Sequence, residues 1–483
     1  MAAESKLLRS KLFWVAVLYF SEGFPFGVFF DVFPVYFRKQ GVNLADIGAL
    51  SLLGLAWTLK FLWAPAVDYY RGHRIWMASV DLLMGTVMLL FAAAAGLGPW
   101  MWAAIGFFTV LSATNDVAVD GYTIEILNRD EMGLANGVRI GFYRVGMLAA
   151  GAVLVLSDWI GWHSAFLCAA AGFGVCAASV LLAPREPQRI RSAPALRDLV
   201  GHIVRQPLLA FGLACFALFV VGLVAIEVER SRISSATLSQ LGMATVALLG
   251  VSAAVLRSAA RRRPEAVDSA DPVLGGLMEL FSRPDILPVL LFILIFKLGD
   301  ASMGFMVKPF WVDTGFSLTE IGLVSVNIGL VLSIAGGLVG GWYTDRAGIF
   351  RALWVLGLYQ AISNLGYAAV AAALPMGGEI LPWHRAAMYA ASAAESFTGG
   401  LGTAAFLACL MAIVDKRHSA AEYALLSSVF ALSRSVAGWG SGFGAQQLGY
   451  APYFLLTFFL SFPAYALLPW VKRMITKTAA AAP

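Results

Sequence analysis

The sequence predicts an all-α polytopic membrane protein, built from two bundles of six helices with two extra helices between them. Apolar residues make up 60% of the 483 positions and charged residues only 13%, and the mean hydropathy is +0.78. Many apolar runs approach the roughly 20 residues that an α-helix needs to cross the hydrocarbon core of a bilayer. A soluble domain cannot bury this much apolar surface, so we interpret the chain as about 14 membrane spans.

Six spans are predicted in an N-terminal half that covers residues 1–183. The apolar runs, separated by glycine, proline and charged residues, lie near 12–37, 47–67, 75–96, 100–126, 134–156 and 162–183. The first run is too long for the core of a signal peptide, contains Glu22 and Asp31, and has no small-residue cleavage pattern after it. We therefore expect it to be retained as a span.

Residues 184–285 are predicted to link the halves and to add two spans, near 207–227 and 238–256. This region is punctuated by the polar segments "APREPQRIRSAPALRDL" and "RSAARRRPEAVDSADP". A C-terminal half covers residues 286–483. Its six apolar runs lie near 286–310, 317–343, 350–374, 384–414, 421–447 and 452–471.

Basic residues indicate the orientation of the chain. If the N-terminus is cytoplasmic, most of the 34 Lys and Arg residues fall on cytoplasmic segments, including Arg261, Arg262 and Arg263. Cytoplasmic loops of membrane proteins carry this excess of basic residues. Both termini are therefore predicted to be cytoplasmic, and the net charge of +5 requires no nucleic-acid partner.

The two sets of six spans resemble each other. The segment "FPVYFRKQGVNLADIG" is matched by "KPFWVDTGFSLTEIG", and Asp68 then corresponds to Asp345 and Arg144 to Arg434. These landmarks occur in the same order, which indicates a duplicated six-span unit in parallel orientation. In transporters built from such repeats, the substrate site lies between the halves near the midplane of the bilayer.

Several motifs resemble those of a known transporter family. The stretch "GGWYTDRAGIFR" looks like the loop signature of the major facilitator superfamily, Gly-x-x-x-Asp-Arg-x-Gly. "FKLGDASMG", "RALWVLGLYQAISNLGY" and "DVAVDGYTIEIL" look like the AmpG family of muropeptide permeases, and this likeness covers both halves and the extra pair of spans. "LWAPAVD" and "ATNDVAVDGY" look equally like the related acetyl-CoA transporters, and a siderophore-permease branch shares the same framework.

Ionisable residues near the middle of the spans are the candidate functional residues. A charge at bilayer depth costs at least about 2.5 kcal/mol, so it is expected to face water, a partner or a substrate. At about 1.5 Å per residue, eight such residues fall into one layer. They are Glu22, Lys60, Asp116, Arg144, Lys297, Asp300, Glu395 and Arg434.

Asp116 and Asp120 lie four residues apart in "DVAVD" and therefore share one helix face. Two interpretations stay open for this pair. The carboxylates carry or gate a coupling proton, or they form a structural ion pair with Arg139 or Arg144 of the next span. Both roles can coexist if a carboxylate leaves its arginine in one conformation and regains it in another.

Arg144 and Arg434 suit an acidic substrate, because a guanidinium group binds carboxylate or phosphate through two parallel hydrogen bonds and keeps its charge. Lys297 and Asp300, three residues apart, either neutralise each other or contact the ligand. The predicted substrate-binding residues are Arg144, Arg434, Lys297, Asp300, Glu395 and Lys60. Asp68, Asp345 and Arg346 are instead predicted to fasten the cytoplasmic helix ends as gate residues.

The composition argues against metal or enzyme chemistry. The four cysteines lie inside apolar runs without metal-ligand spacing, and we predict no metal or cofactor. The five histidines are isolated, whereas a membrane-embedded transferase usually needs paired histidines or a histidine beside an acid. We therefore expect a protein that is not an enzyme, with a transferase as the alternative from a different class.

Together these residues predict a proton-coupled secondary transporter that imports an acidic organic solute by alternating access. The family resemblance implies an anhydromuropeptide, whose lactyl and peptide carboxylates suit two arginines, and acetyl-CoA or a siderophore is the alternative substrate. The predicted partners are the small-molecule substrate, protons and the lipid bilayer. The protein is expected to be a multi-pass monomer of a cell inner membrane.

Overall fold

The computed structural model describes residues 10–60, 72–127, 132–185, 280–414 and 419–481, apart from a few positions inside these ranges, and a few isolated residues elsewhere. Within these ranges every regular element is helical, and nine stretches are long and apolar enough to cross a membrane. The predicted all-α polytopic class is confirmed. The predicted spans near 207–227 and 238–256 lie outside the described residues, so the total of about 14 spans stays a prediction.

Six helices of the N-terminal half are described. The first four are Lys11–Lys39 (α1), Leu44–Leu59 (α2), His73–Ala93 (α3) and Trp100–Ile126 (α4). The stretch Met132–Leu182 is divided at Gly161, where φ is 80° and ψ is 162°. Glycine adopts this conformation readily because it has no Cβ, so the chain turns here and gives α5 before Gly161 and α6 after it.

Six more helices are described in the C-terminal half, close to the predicted spans. They are Ile286–Asp313 (α7), Leu318–Ala347 (α8), Ile349–Ala373 (α9), Pro382–Ile413 (α10), Ser419–Leu448 (α11) and Tyr450–Thr476 (α12). Helix α7 is interrupted at Lys297, where φ is −98° and ψ is 10°. Helices α1 and α8 each contain a π-helical segment, Val28–Val32 and Ile321–Ile328, and such segments are frequent at functional sites.

The segment that is repeated in the sequence forms an N-terminal helix cap in each half, at the start of α2 and of α8. The Asn43 side chain accepts a hydrogen bond from the backbone N–H of Asp46 at 2.8 Å. The Ser317 hydroxyl accepts one from the backbone N–H of Glu320 at 3.1 Å, and the Glu320 carboxylate accepts one from the backbone N–H of Ser317 at 3.0 Å. Each cap satisfies backbone donors that the first turn of a helix leaves unpaired, so both halves keep the same signal.

In the described ranges the two halves pack against each other mainly through three helix pairs, α1 with α7, α2 with α11, and α5 with α8, with a smaller contact between α2 and α7. Glycines permit close backbone approach in two of them. A Cβ atom at Gly48 would lie 2.7 Å from the Cα atom of Gly442, and one at Gly322 would lie 2.6 Å from the carbonyl oxygen of Gly151. Small residues at such crossings allow helices to associate by direct backbone contact in a membrane.

Polar contacts join the halves at the end of the molecule where α1 and α7 end, which we call the closed end. Arg38 donates from Nε to Asp313 Oδ1 at 2.5 Å and from Nη2 to Asp313 Oδ2 at 2.7 Å, and the Tyr450 hydroxyl donates to Asp313 Oδ2 at 2.7 Å. The Thr319 hydroxyl donates to Asp158 Oδ2 at 2.6 Å. Charge-assisted hydrogen bonds with two parallel N–H donors are among the stronger polar contacts, so this end is held shut.

Candidate substrate cavity

A cavity of about 610 Å³ lies between the halves in the middle of the molecule. It is lined by α1 and α5 of the N-terminal half and by α7, α8, α10 and α11 of the C-terminal half. Its charged lining residues are Glu22, Asp31, Arg139, Arg144, Lys297, Asp300, Lys308, Glu395 and Arg434. A volume within about 300–1,000 Å³ is typical of sites for small organic ligands.

Five of the six predicted substrate-binding residues line this cavity, and they come from both halves. They are Arg144, Arg434, Lys297, Asp300 and Glu395. Lys60 is the exception, because its ammonium group binds the carboxylate of Asp116 and it is absent from the lining. The sequence places Lys60 at the right depth in the bilayer, but it does not reveal which helix the side chain faces.

Arg144 and Arg434 face the cavity, and in the described ranges no carboxylate oxygen lies within 4.0 Å of either guanidinium group. The guanidinium of Arg434 lies 4.7 Å from the ring centre of Phe30 and 5.5 Å from that of Phe26. Arg144 Nη1 reaches the Ser333 hydroxyl at 3.5 Å. Two guanidinium groups, one from each half, therefore have donors available for an anionic ligand.

Asp116 and Asp120 are both engaged in ion pairs behind the N-terminal wall of the cavity. Asp116 binds Lys60, and Asp120 Oδ1 lies 3.0 Å from Arg139 Nη2. The Tyr19 hydroxyl also donates to Asp120 Oδ1 at 2.6 Å. Of the two arginine partners considered from the sequence, Arg139 makes the contact. The Arg139 side chain is 42% exposed near the start of α5, so the cavity opens away from the closed end.

Glu22 joins these two aspartates in a cluster that sequence spacing could not reveal. Oxygen atoms of Glu22, Asp116 and Asp120 all lie within 4.8 Å of one another, although α1 and α4 are far apart in sequence. Close packing of α1 on α5 fixes the position of Glu22. A Cβ atom at Gly23 would lie 1.9 Å from the carbonyl oxygen of Tyr143, so only glycine fits beside Glu22 at this crossing.

Three carboxylates in such proximity have the donor set of a cation site, but protein cations already occupy their surroundings. The Lys60 ammonium binds Asp116 and the Arg139 guanidinium binds Asp120. A metal ion would have to compete with both groups. The geometry therefore fits the exchange of ion pairs and protons better than the coordination of a metal.

A further carboxylate, Asp81 on α3, is fully buried beside this cluster. The sequence did not predict it as a site residue. Its Oδ2 atom accepts a hydrogen bond from the Ser21 hydroxyl at 2.9 Å. The Asn115 side-chain amide donates to Ser21 Oγ at 3.3 Å. Because Ser21 precedes Glu22 and Asn115 precedes Asp116, this network fixes the backbone that carries two of the clustered carboxylates.

The charges of the C-terminal half are arranged mainly as pairs. Lys297 Nζ lies 3.2 Å from Asp300 Oδ2, which agrees with the pairing considered from their spacing. Lys308 Nζ lies 3.5 Å from Asp31 Oδ1 and therefore connects the halves inside the cavity. Glu395 accepts a hydrogen bond from the Ser396 hydroxyl at 3.2 Å, and in the described ranges no Lys or Arg nitrogen lies within 4.0 Å of its carboxylate.

The predicted gate residues form no gate contact in the part of the chain that the structure describes. Asp68 lies outside the described residues. Asp345 and Arg346 are exposed at the end of α8, and the Arg346 guanidinium lies 4.5 Å from the ring centre of Trp342. These residues lie at the end of α8 opposite to Thr319 of the closed end. Their exposure agrees with a cavity that is open on this side.

Two six-helix halves that close at one end around a charged cavity define a membrane transporter rather than an enzyme. The family model of the Major Facilitator Superfamily matches residues 15–264. The match covers more than half of the sequence, and the chain belongs to the Major Facilitator Superfamily.

The chain is also similar to AmpG-type permeases, as its motifs predicted. It is 27% identical over 475 residues to the anhydromuropeptide permease of Escherichia coli (strain K12), with 96% of this chain and 80% of that protein covered. It is 24% identical over 481 residues to putative transporter AmpG 4 of Rickettsia conorii (strain ATCC VR-613 / Malish 7), with 96% and 97% covered. The AmpG-type resemblance is confirmed.

A solved structure with the same fold is that of the POT family transporter PepTSo. The TM-score is 0.69 with 12% sequence identity, and 98% of this chain and 99% of that chain are covered. At this identity the likeness shows the fold alone. The predicted major facilitator fold is confirmed.

Proposed function

We propose that this protein is a proton-coupled secondary transporter that imports an acidic organic solute, an anhydromuropeptide, by alternating access. The observation that carries the proposal is the pair of repeat-related arginines, Arg144 and Arg434. One comes from each half, both face the central cavity, and neither has a carboxylate partner within 4.0 Å in the described ranges. Cations at this depth in a membrane span are expected to meet an anionic ligand.

The two arginines explain how solute binding can change the arrangement of the two halves. Each guanidinium can hold one carboxylate of the solute through two parallel hydrogen bonds. A solute that has two acidic groups then connects the halves and favours the conformations in which both arginines reach it. Lys297, Asp300 and Glu395 are proposed to contact the polar groups of the same ligand.

The name of the Escherichia coli relative supports the choice of solute, because that protein is called an anhydromuropeptide permease. The lactyl and peptide carboxylates of such a solute match the two arginines. The proposed domain organisation is an N-terminal half over 1–183, a linking region over 184–285 and a C-terminal half over 286–483. The protein is proposed to act as a monomer.

Proton coupling is proposed to use the carboxylate cluster that contains Asp116 and Asp120. Each aspartate has a cationic partner, and Arg139 is exposed toward the cavity. If α5 moves against α4 during the transport cycle, the Asp120–Arg139 pair separates and the carboxylate cluster gains or loses a proton. Transport of solute and of proton is then linked through one moving contact.

The direction of opening follows from the proposed orientation. With both termini in the cytoplasm of a cell that has an inner membrane, the closed end faces outward and the cavity opens inward. Asp68, Asp345 and Arg346 are proposed to fasten the cytoplasmic side when the protein faces outward. In the present conformation the Arg38–Asp313 contact closes the opposite side.

Uptake into vesicles tests the proposal. Purified protein in vesicles with an inwardly directed proton gradient is offered labelled anhydromuropeptide, acetyl-CoA or ferric siderophore in separate assays. We expect uphill accumulation of unchanged anhydromuropeptide that an uncoupler abolishes. Accumulation of another solute would reassign the substrate, and uphill uptake without a gradient would contradict proton coupling. Chemical conversion of the solute would indicate a transferase.

A further inference from the structure

The carboxylate cluster contains more acids than bases. Glu22, Asp116 and Asp120 lie within 4.8 Å of one another, whereas the cations bound to them in the described ranges are Lys60 and Arg139. We infer that Glu22, the carboxyl group without a cation, holds the coupling proton in this conformation. This inference rests on the proposed proton-coupled transport and assigns the proton to one residue.

The two aspartates are poor sites for an exchangeable proton in this conformation. Asp116 is bound to Lys60 and Asp120 to Arg139, and a guanidinium group does not lose its charge in proteins. Protonation of either aspartate would leave a cation without its partner. An unpaired charge in a mostly buried site is strongly destabilising, so both aspartates are expected to stay ionised while their pairs are intact.

Glu22 is in the opposite situation. Its side chain is buried, with 8% of the residue exposed, and its Oε2 atom is buried without a hydrogen-bond partner in the described part of the chain. An ionised Glu22 would add a third negative charge beside two others in a nonpolar setting. Neighbouring carboxyl groups avoid this repulsion by sharing a proton, as in enzymes that pair two acids.

The groups around Glu22 come from every neighbouring helix of its half. They are Tyr19 on α1, Lys60 on α2, Asp81 on α3, Asp116 and Asp120 on α4, and Arg139 and Tyr143 on α5. From the C-terminal half, Arg434 lies over Phe26, one helical turn from Glu22. Lys60 and Arg139 are already bound to aspartates, and in the part of the chain that the structure describes neither Arg144 nor Arg434 forms an ion pair with Glu22, so the excess acid has a proton as its remaining counterion.

Glu22 also has a route for proton exchange, because it lines the cavity. On the open side its O–H bond breaks and the proton passes to water in the cavity. The remaining carboxylate then competes with Asp120 for Arg139, which is the exposed member of the cluster. When the cavity faces the other side, the carboxylate takes a proton from water there, and the Asp120–Arg139 pair forms again.

The experiment compares Glu22→Gln with Glu125→Gln in vesicles that contain the full-length protein. Glu125 is a matched control, since it lies on α4 of the same half, its side chain is 39% exposed, and it does not line the cavity. We expect Glu22→Gln to reduce uphill accumulation of labelled anhydromuropeptide at least about tenfold while exchange between equally loaded compartments continues. Glu125→Gln is expected to accumulate the solute as the unmodified protein does.

Infrared difference spectroscopy, which subtracts the spectrum of Glu22→Gln from that of the unmodified protein, gives a second readout that requires no substrate. We expect the unmodified protein to show the carbonyl band of a protonated carboxyl group, and we expect this band to be missing from Glu22→Gln. If the band is unchanged in Glu22→Gln, the proton is on another residue and the inference is overturned. This result is decisive even if the variant loses both transport activities.

The uptake assay distinguishes failure of the proposed proton coupling from failure of the assignment of the proton to Glu22. If the unmodified protein does not accumulate solute in a proton gradient, proton coupling fails for the whole protein. If it does and Glu22→Gln accumulates solute equally well, only the assignment to Glu22 is wrong. Loss of uphill uptake in Glu22→Gln together with loss of the carbonyl band supports the inference.

Discussion

The two halves share one helical framework but carry side chains of opposite charge at one matched position. Glu22 and Lys297 lie twelve residues before Pro34 and Pro309, the prolines that begin the matched segments. In the C-terminal half, Lys297 is bound to Asp300, whereas in the N-terminal half Glu22 adds a third acid to Asp116 and Asp120.

This difference teaches how a duplicated bundle can divide two tasks. A base at the matched position pairs with Asp300 of its own half, and Arg434 stays available for a ligand. An acid at the same position of the N-terminal half creates an excess of carboxylates. The same position of the repeat can therefore serve solute binding in one half and proton exchange in the other.

The largest effect is expected from Asp116→Asn, which is directed at the N-terminal cluster. Loss of this carboxylate leaves Lys60 without its partner, and we expect uphill accumulation to fall at least about tenfold while exchange between equally loaded compartments persists. Glu395→Gln on the matching helix α10 is expected to weaken solute binding but to keep the accumulation driven by the gradient. Equal loss of coupling in both variants would break the comparison.

A second prediction concerns the arginine that each half presents to the solute. Arg144→Lys and Arg434→Lys keep the charge but lose the planar fork, so we expect solute affinity to fall about tenfold, or about 1.4 kcal/mol, at each arginine that holds an oxyanion. Equilibrium binding of labelled anhydromuropeptide to purified protein measures this effect. Unchanged affinity in one variant would assign the oxyanion to the other arginine alone.

Double variants separate a binding arginine from a structural one. Arg139→Gln should be rescued in part by Asp120→Asn, because the two residues form one ion pair at 3.0 Å and removal of both leaves no unpaired charge. Arg144→Gln should gain nothing from Asp120→Asn or Asp116→Asn. Recovery of near-original affinity in an Arg144→Gln double variant would remove Arg144 from the binding site.

A smaller effect is expected where the halves meet at the closed end. Arg38→Gln removes a paired contact to Asp313, and hydrogen bonds of this partly exposed, charged kind contribute about 1–2 kcal/mol. We expect the population to shift toward the conformation that is open at this end by roughly fivefold to thirtyfold. Labelling of a cysteine introduced at Leu44, which is 7% exposed and lies near Arg38, measures the shift. Unchanged labelling would mean that helix packing alone holds this end shut.

The smallest effect is expected for Asp345→Ala. This residue is exposed in the present conformation, and surface substitutions usually change stability by no more than about 0.5 kcal/mol. If Asp345 fastens the open side in the other conformation, the variant should favour the present conformation by about twofold. Cysteine labelling inside the cavity would then rise. Unchanged labelling would mean that Asp345 is an ordinary exposed charge at a helix end and has no gating role.

The sequence predicted those parts of the structure that depend on neighbours along the chain. Helix positions followed from apolar runs, and the repeat was visible because the caps at Asn43 and Ser317 use local hydrogen bonds. The Lys297–Asp300 pair followed from a spacing of three residues. Such features need no knowledge of which helices cross.

The contacts between helices could not be predicted in the same way. Glu22 was recognised as a charge near mid-bilayer, but its proximity to Asp116 depends on how α1 crosses α4. The Arg38–Asp313 contact was missed because a charge at a helix end looks like an ordinary loop charge in the sequence. Lys60 was predicted to bind substrate, and only the packing of α2 shows its contact with Asp116.

The paired glycines between the halves have a consequence for the speed of switching. Where Gly48 faces Gly442 the two backbones meet directly, whereas at the other crossing the Asn327 side chain packs against Gly151. Interlocked side chains must change rotamer and leave a gap before two helices can part, and each gap sacrifices dispersion contacts. The direct backbone contact between Gly48 and Gly442 can separate and rejoin without that barrier. At that crossing, resistance to opening is expected to come mainly from polar contacts such as Arg38–Asp313, which water can solvate as they break.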